Sequence, residues 1–125
     1  MILDTNALSA VADDDPGVAA VLARADQTAI PVIVLGEYLH GIAQSRNRSA
    51  YKAWLTELLN DCTVLDVSEP TTQRYADIVG ELKRKGKPIP TNDIWTAALC
   101  RQHSLPLLSR GRHFDLVEGN DRIEW

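Results

Sequence analysis

Apolar and polar positions alternate between two periods along this chain. Met1–Leu3 is a short apolar run that ends in a carboxylate, and it predicts a buried strand over Met1–Asp4. From Pro16 to Ala25, Val18, Val21, Leu22 and Ala25 form one stripe, the spacing of an amphipathic helix. Thr28–Val32 is a second apolar run, interrupted by Pro31. Val34 to Ser45 reads as a helix with Val34, Leu35, Tyr38, Leu39 and Ile42 on one face. Ser49 to Leu59 repeats that pattern through Trp54, Leu55, Leu58 and Leu59, and Cys62–Val67 predicts a third strand. Glu69 to Gly86 reads as a long helix, with Tyr75, Ile78, Val79 and Leu82 inward and Gly86 as its C-cap. Thr91 to His103 predicts another helix, capped by Thr91 or Asn92. Leu105–Ser109 predicts a fourth strand, and Arg122–Trp125 a fifth at an edge.

Short apolar strands that alternate with amphipathic helices predict an α/β fold. The expected form is a three-layer α/β/α arrangement around a central, mostly parallel sheet of four to five strands. Crossovers in such sheets are right-handed, so each helix starts near the carboxyl edge of the sheet, where open α/β folds place their sites. A length of 125 residues fits a single domain over 1–125. No repeat, linker or low-complexity tract divides it. No apolar run approaches the ~20 residues that cross a bilayer, and no leader pattern opens the chain, so the expected location is cytoplasmic. Cys62 and Cys100 are too few for a disulfide framework and are expected as free thiols. The formal charge of -4, from 17 acidic and 13 basic residues, does not advertise a nucleic-acid binder. Net charge, however, hides clustering.

The carboxylates change the picture. Asp4 ends the first strand. Glu37, in "VLGEYLHG", is expected in the first turn of the helix after the second strand. Asp93, in "PTNDIWTAA", is expected in the first turn of the helix before the fourth strand. The topology directs all three to one pocket. Converging carboxylates repel one another, and Mg²⁺ or Mn²⁺ is the common remedy for an all-oxygen site. The helix dipole alone also favours acids in a first turn and, taken singly, explains Glu37 and Asp93 as well. Asp4 is harder to explain that way, because a charge ending a buried strand is costly unless paired or metal-bound. Thr5 and Asn6 are then donors that orient Asp4, or caps of a helix starting near Asn6. Spacing alone leaves these readings open.

At these residues the chain resembles PIN-domain proteins, specifically the VapC-type toxin ribonucleases of bacterial toxin–antitoxin pairs. The matching pieces are "ILDTN", "VLGEYLHG", "IPTNDIWTAALC" and "LPLLSRGRHFDLV", in order across essentially the whole chain. The resemblance implies a parallel α/β/α fold and Mg²⁺- or Mn²⁺-dependent endonucleolytic cleavage of RNA. It also implies a homodimer, and inhibition by a cognate antitoxin that inserts a segment near the site. Asp4, Glu37 and Asp93 match the family's metal-binding acids, Thr5 and Asn6 its polar pair, and Ser109 the hydroxyl that closes the fourth strand. The implied chemistry is in-line attack of water on a phosphodiester. Asp4 and Asp93 would hold the principal ion, and Glu37 would ligate or bridge through water. Many relatives carry a fourth acid two residues after the hydroxyl. Here that position is Gly111, and Asp115 is the nearest acid. The departure predicts weakened binding of a second ion, or a natural or engineered loss of activity.

Arg110 and Arg112 flank the expected pocket and are candidate phosphate contacts. For "KRKGK", Lys83 to Lys87, a solvated helix end that complements the dipole is the preferred reading. His40, His103 and His113 are scattered and are assigned surface or core roles. Trp54 is assigned to core packing, with a dimer or antitoxin groove as the alternative. Two rival classes remain. One is a catalytically silent module that binds antitoxin or RNA without cutting. The other is an aspartyl-phosphate protein, disfavoured because Asn6 stands where such phosphatases want a second Asp and because no Lys follows the fourth strand.

Overall fold

Ile2 and Leu3 pair in parallel with a strand on either side, which places the first three residues at the centre of the sheet. A computed structural model describes all residues from Met1 to Trp125. Strands β1 (Ile2–Leu3), β2 (Ala29–Pro31), β3 (Thr63–Leu65), β4 (Leu107–Leu108) and β5 (Arg122–Ile123) form one sheet in the order β3-β2-β1-β4-β5, every pair parallel. The helices are α1 (Thr5–Ala12), α2 (Pro16–Leu22), α3 (Val32–Ile42), α4 (Arg48–Leu59), α5 (Glu69–Lys85) and α6 (Thr91–His103), with a short 3₁₀ helix over Arg112–Leu116.

Alternation along each strand assigns the two faces. Ile2, Ala29, Leu65 and Leu107 point to a core shared with α5, α6, Phe114 and Val117. Leu3, Ile30 and Leu108 point to the opposite core, shared with α1, α2, α3 and α4. This is the expected three-layer arrangement. Ile2, Leu3, Leu107 and Leu108 are fully buried, and each such side chain contributes about 1.5–3 kcal/mol of transfer free energy. The strand order reverses direction between β1 and β4. Open α/β sheets place their ligand crevice at that switch point, beyond the carboxyl ends of the strands.

Several predicted boundaries move. The segment after Asp4 is a full helix, α1, whose N-cap is Asp4 in extended conformation, so neither Thr5 nor Asn6 acts as the cap. The second strand ends at Pro31, which pairs in register with Leu65 and then caps α3. That helix therefore begins at Val32, two residues earlier than expected. Leu39 falls outside its buried stripe and is 39% exposed. The cap of α6 is Pro90, not Thr91 or Asn92. Helix α5 ends as predicted at Gly86, whose φ of 63° is the left-handed conformation that glycine adopts without strain. β5 sits at the edge beside β4, as expected. No helix is long and apolar enough to cross a membrane.

Candidate active site

The register Leu3↔Leu108 sets the residues that follow these strands side by side at the switch point. They are Asp4 and Ser109. The Ser109 hydroxyl donates to Asp4 Oδ2 at 2.7 Å, and Asn6 Nδ2 donates to the same oxygen at 3.3 Å and to Ser109 Oγ at 3.3 Å. Gly111 N–H donates to Ser109 Oγ at 2.8 Å, and Arg110 N–H to Asn6 Oδ1 at 3.1 Å. Asp4, Asn6 and residues 109–111 thus form one closed network that fixes a carboxylate only 7% exposed. Hydrogen bonds to an ionised acceptor are the strong kind, and here both reach one oxygen. No protein group donates to Oδ1 of Asp4, which leaves it available.

Glu37 lies in the second turn of α3, not the first, because the helix begins early. The dipole fades within the first turn and no longer accounts for an acid there. Thr5 Oγ1 donates to Glu37 Oε1 at 3.1 Å. Thr5 therefore orients Glu37 and not Asp4, because its position at the start of α1 turns the side chain toward α3. Asp93 does lie in the first turn of α6. Burial pushes its carboxyl above the usual range and the Asp4 charge adds to the rise, while a contact with His113 opposes it. His113 Nδ1 lies 3.2 Å from Asp93 Oδ2. The surface role that the sequence assigns this histidine holds, since its side chain is 59% exposed, but the pairing with Asp93 is not legible there. Its only signal was a polar side chain two positions past Gly111, and the pairing depends on the 3₁₀ helix.

The remaining candidates divide. Asp115 does not join the cluster. Arg122 engages both of its oxygens, at 2.7 Å through Nε and 2.9 Å through Nη2. The guanidinium of Arg110 stacks over the Trp125 ring at 4.3 Å and donates to Trp125 O at 3.3 Å, so only its backbone serves the site. Arg112 is exposed at the start of the 3₁₀ helix. Gly111 sits in tight surroundings. A Cβ there would lie 3.1 Å from Ser109 Oγ and 3.4 Å from the Phe114 ring. A fourth carboxylate cannot enter at this position without pressing on the hydroxyl that clamps Asp4.

No three His, Cys, Asp or Glu side chains come close enough to ligate one ion unaided. Mg²⁺ is commonly held by one or two carboxylates with several waters kept. Asp4 and Asp93, whose charges act on one another, fit that donor set. The thiol of Cys100, by contrast, is pushed up to about 12 by burial and is inert.

A parallel sheet with oxygen donors gathered at its switch point defines a carboxylate-based α/β domain. Residues 1–120 match the PIN domain family. Ribonuclease VapC2 of Haemophilus influenzae is 31% identical over 121 residues, covering 93% of this chain and 90% of its own length. Ribonuclease VapC5 of Mycobacterium tuberculosis is 25% identical over 101 residues, covering 79% of this chain and 75% of its own. The chain belongs to the PIN-domain family, and within it to the group of the VapC ribonucleases. The fold agrees with solved structures. VapBC2 from Rickettsia felis, bound to a DNA fragment from their promoter, has a TM-score of 0.86 at 24% identity, covering 99% of this chain and 97% of that one. FitAcB from Neisseria gonorrhoeae has a TM-score of 0.79 at 27% identity, covering 98% and 95%.

Proposed function

We propose that the protein is a divalent-metal-dependent endoribonuclease, the toxin of a toxin–antitoxin pair. The observation that carries this reading is the clamped, buried Asp4 with a free Oδ1, next to Asp93, whose carboxyl is raised by burial and by that neighbour. Two carboxylates so placed are stabilised by a cation. Asp4 and Asp93 would hold Mg²⁺ or Mn²⁺, with Glu37 ligating or bridging through water. The ion, when bound, supplies neutralisation of phosphate charge and a lowered pKa for water. Ser109 and Asn6 keep the Asp4 carboxylate in one orientation throughout. Thr5 does the same for Glu37. Arg112, exposed at the start of the 3₁₀ helix, is the side chain that would meet a phosphate.

The relatives named VapC and the VapBC structures support a VapB-like antitoxin as partner. A cleft of about 320 Å³ between α1, α3 and α4 supports its seat beside the site. Thr5, Glu37, Tyr38 and Tyr51 line that cleft, and the Tyr38 hydroxyl is buried without a partner. A homodimer in the cytoplasm completes the reading.

The test is cleavage of a panel of structured RNAs with Mg²⁺ or Mn²⁺, using Asp4→Asn as control. Cleavage that requires both the metal and Asp4 is the expected result. RNA or antitoxin binding without any cleavage would replace this reading with a silent binding module.

A further inference from the structure

The catalytic cluster makes no use of the basic run that ends α5. The dipole of a helix C-terminus amounts to roughly half an elementary charge. Four cations stand there, Lys83, Arg84, Lys85 and Lys87, which is far more than the dipole asks for. Only Lys85 is salt-bridged, to Glu118 at 3.1 Å, and the other three are exposed without a carboxylate partner. Beside them lies a groove of about 360 Å³. Val79, Leu82, Ile89 and Ile94 give it an apolar lining, and Lys83 and Lys87 stand in its wall. Ile89 and Ile94 line it, so the groove reaches the first turn of α6, the turn in which Asp93 lies, although Asp93 itself does not line it. Lys85 Nζ also donates to Leu116 O at 3.3 Å, which ties the end of α5 to the 3₁₀ helix bearing Arg112. Cations without a carboxylate partner therefore stand at the end of α5 and, as Arg112, at the start of the 3₁₀ helix tied to it.

We propose that this groove receives a nucleotide of the RNA strand next to the scissile phosphate. The base lies against Val79, Leu82, Ile89 and Ile94, and Lys83 and Lys87 hold the adjoining phosphates. The proposal rests on the ribonuclease reading and assigns part of its substrate path. Charge complementarity selects the occupant. Asp4, Glu37 and Asp93 repel a polyanion, so a strand reaching them needs cations alongside. An acidic peptide would satisfy the lysines but gives no reason for the groove to reach the turn in which Asp93 lies.

The test measures single-stranded RNA affinity in EDTA by fluorescence anisotropy over a range of salt. It compares the unmodified chain with the double variant Lys83→Glu/Lys87→Glu. The control Arg24→Glu/Lys52→Glu makes the same charge change at exposed residues whose neighbouring helices, α2 and α4, pack on the other face of the sheet. The expected result is at least a tenfold loss of affinity in the lysine variant alone. Its salt slope should fall by about 1.4, at about 0.7 per lost phosphate contact. RNA carrying 4-thiouridine should photo-crosslink within residues 79–94. Equal affinity and slope in both double variants overturn the proposal while leaving intact a ribonuclease that still cuts. So does loss of binding to an Asp/Leu-rich peptide with RNA affinity unchanged. An unmodified chain that neither binds nor cuts RNA overturns the ribonuclease reading instead.

Discussion

Asp93 and Asp115 meet the same 3₁₀ helix and have opposite fates. Asp115 lies on that helix, and Arg122 grips both of its oxygens. That bond holds its carboxyl below the usual range. Arg122 in turn donates to Ser109 O at 3.0 Å, so the pair braces the loop behind the Asp4 clamp. Asp93 has only the exposed ring of His113, and burial together with the Asp4 charge holds its carboxyl above the usual range. The difference teaches how to separate two kinds of acid in one small region. A carboxylate with a full set of donors serves the fold. One that is buried beside another charge, with too few donors, is the one a bound cation would stabilise, as the proposed function requires.

The largest expected effect follows from removing the unsatisfied charge. Asp93→Asn should lower RNA cleavage by at least about 100-fold, since disturbing even the residues that orient metal ligands costs 10–100-fold. It should also stabilise the metal-free protein at pH 7, by about 0.5–2 kcal/mol in urea unfolding, as removal of functional strain does. The sign follows from linkage. A raised folded pKa means the native state binds more protons than the unfolded one, so stability falls as pH rises through that window. If Asp93→Asn destabilises at pH 7, the contrast with Asp115 collapses.

Ser109→Ala comes next. It removes the 2.7 Å bond to Asp4 and the acceptor for Gly111 N–H. A loss of about 1–3 kcal/mol in urea unfolding is expected, with cleavage down about 10–100-fold. Asp115→Asn should lower stability by only about 0.2–1 kcal/mol and leave cleavage largely intact. Its penalty should be present above the ordinary carboxylate pKa of about 3.9 and vanish as pH falls through the lowered folded value. The smallest effect is expected for His113→Gln in the metal-free protein. Because His113 opposes the rise at Asp93, NMR titration should find that carboxyl higher still. A downward move would contradict the assignment of His113 as its partner.

Most of the fold was legible because its signals are local. Buried strands of two or three residues read as apolar runs, and α5 announced both its stripe and its glycine stop. Helix α1 was legible only as an alternative, a helix starting near Asn6, since "TNALSAVA" carries few large apolar residues and follows the strand with no loop. Pro31 was read as an interruption, although a proline can close a strand and open a helix. That error misplaced Glu37 by one turn. Asp4, Glu37 and Asp93 are candidates by their positions at strand and helix ends, but the three do not close into one cluster of ligating side chains. The partners of the acids were not legible. His113 reaches Asp93 only through a 3₁₀ helix with no periodic signature, and Arg122 claims Asp115 from the strand at the sheet edge. At Gly111 the fourth acid is missing, and the structure adds that a Cβ there would lie 3.1 Å from Ser109 Oγ. A Gly111→Asp variant therefore perturbs the Asp4 clamp in addition to supplying a carboxylate.

The central claim is that Asp4 and Asp93 hold one divalent cation. Calorimetric titration of Mn²⁺ into the metal-free protein at pH 7, alongside Asp4→Asn and Asp93→Asn, tests it without reference to any RNA. The account predicts saturable binding by the unmodified chain and its loss in both variants. Equal binding by all three proteins, or none by the unmodified chain, would contradict it.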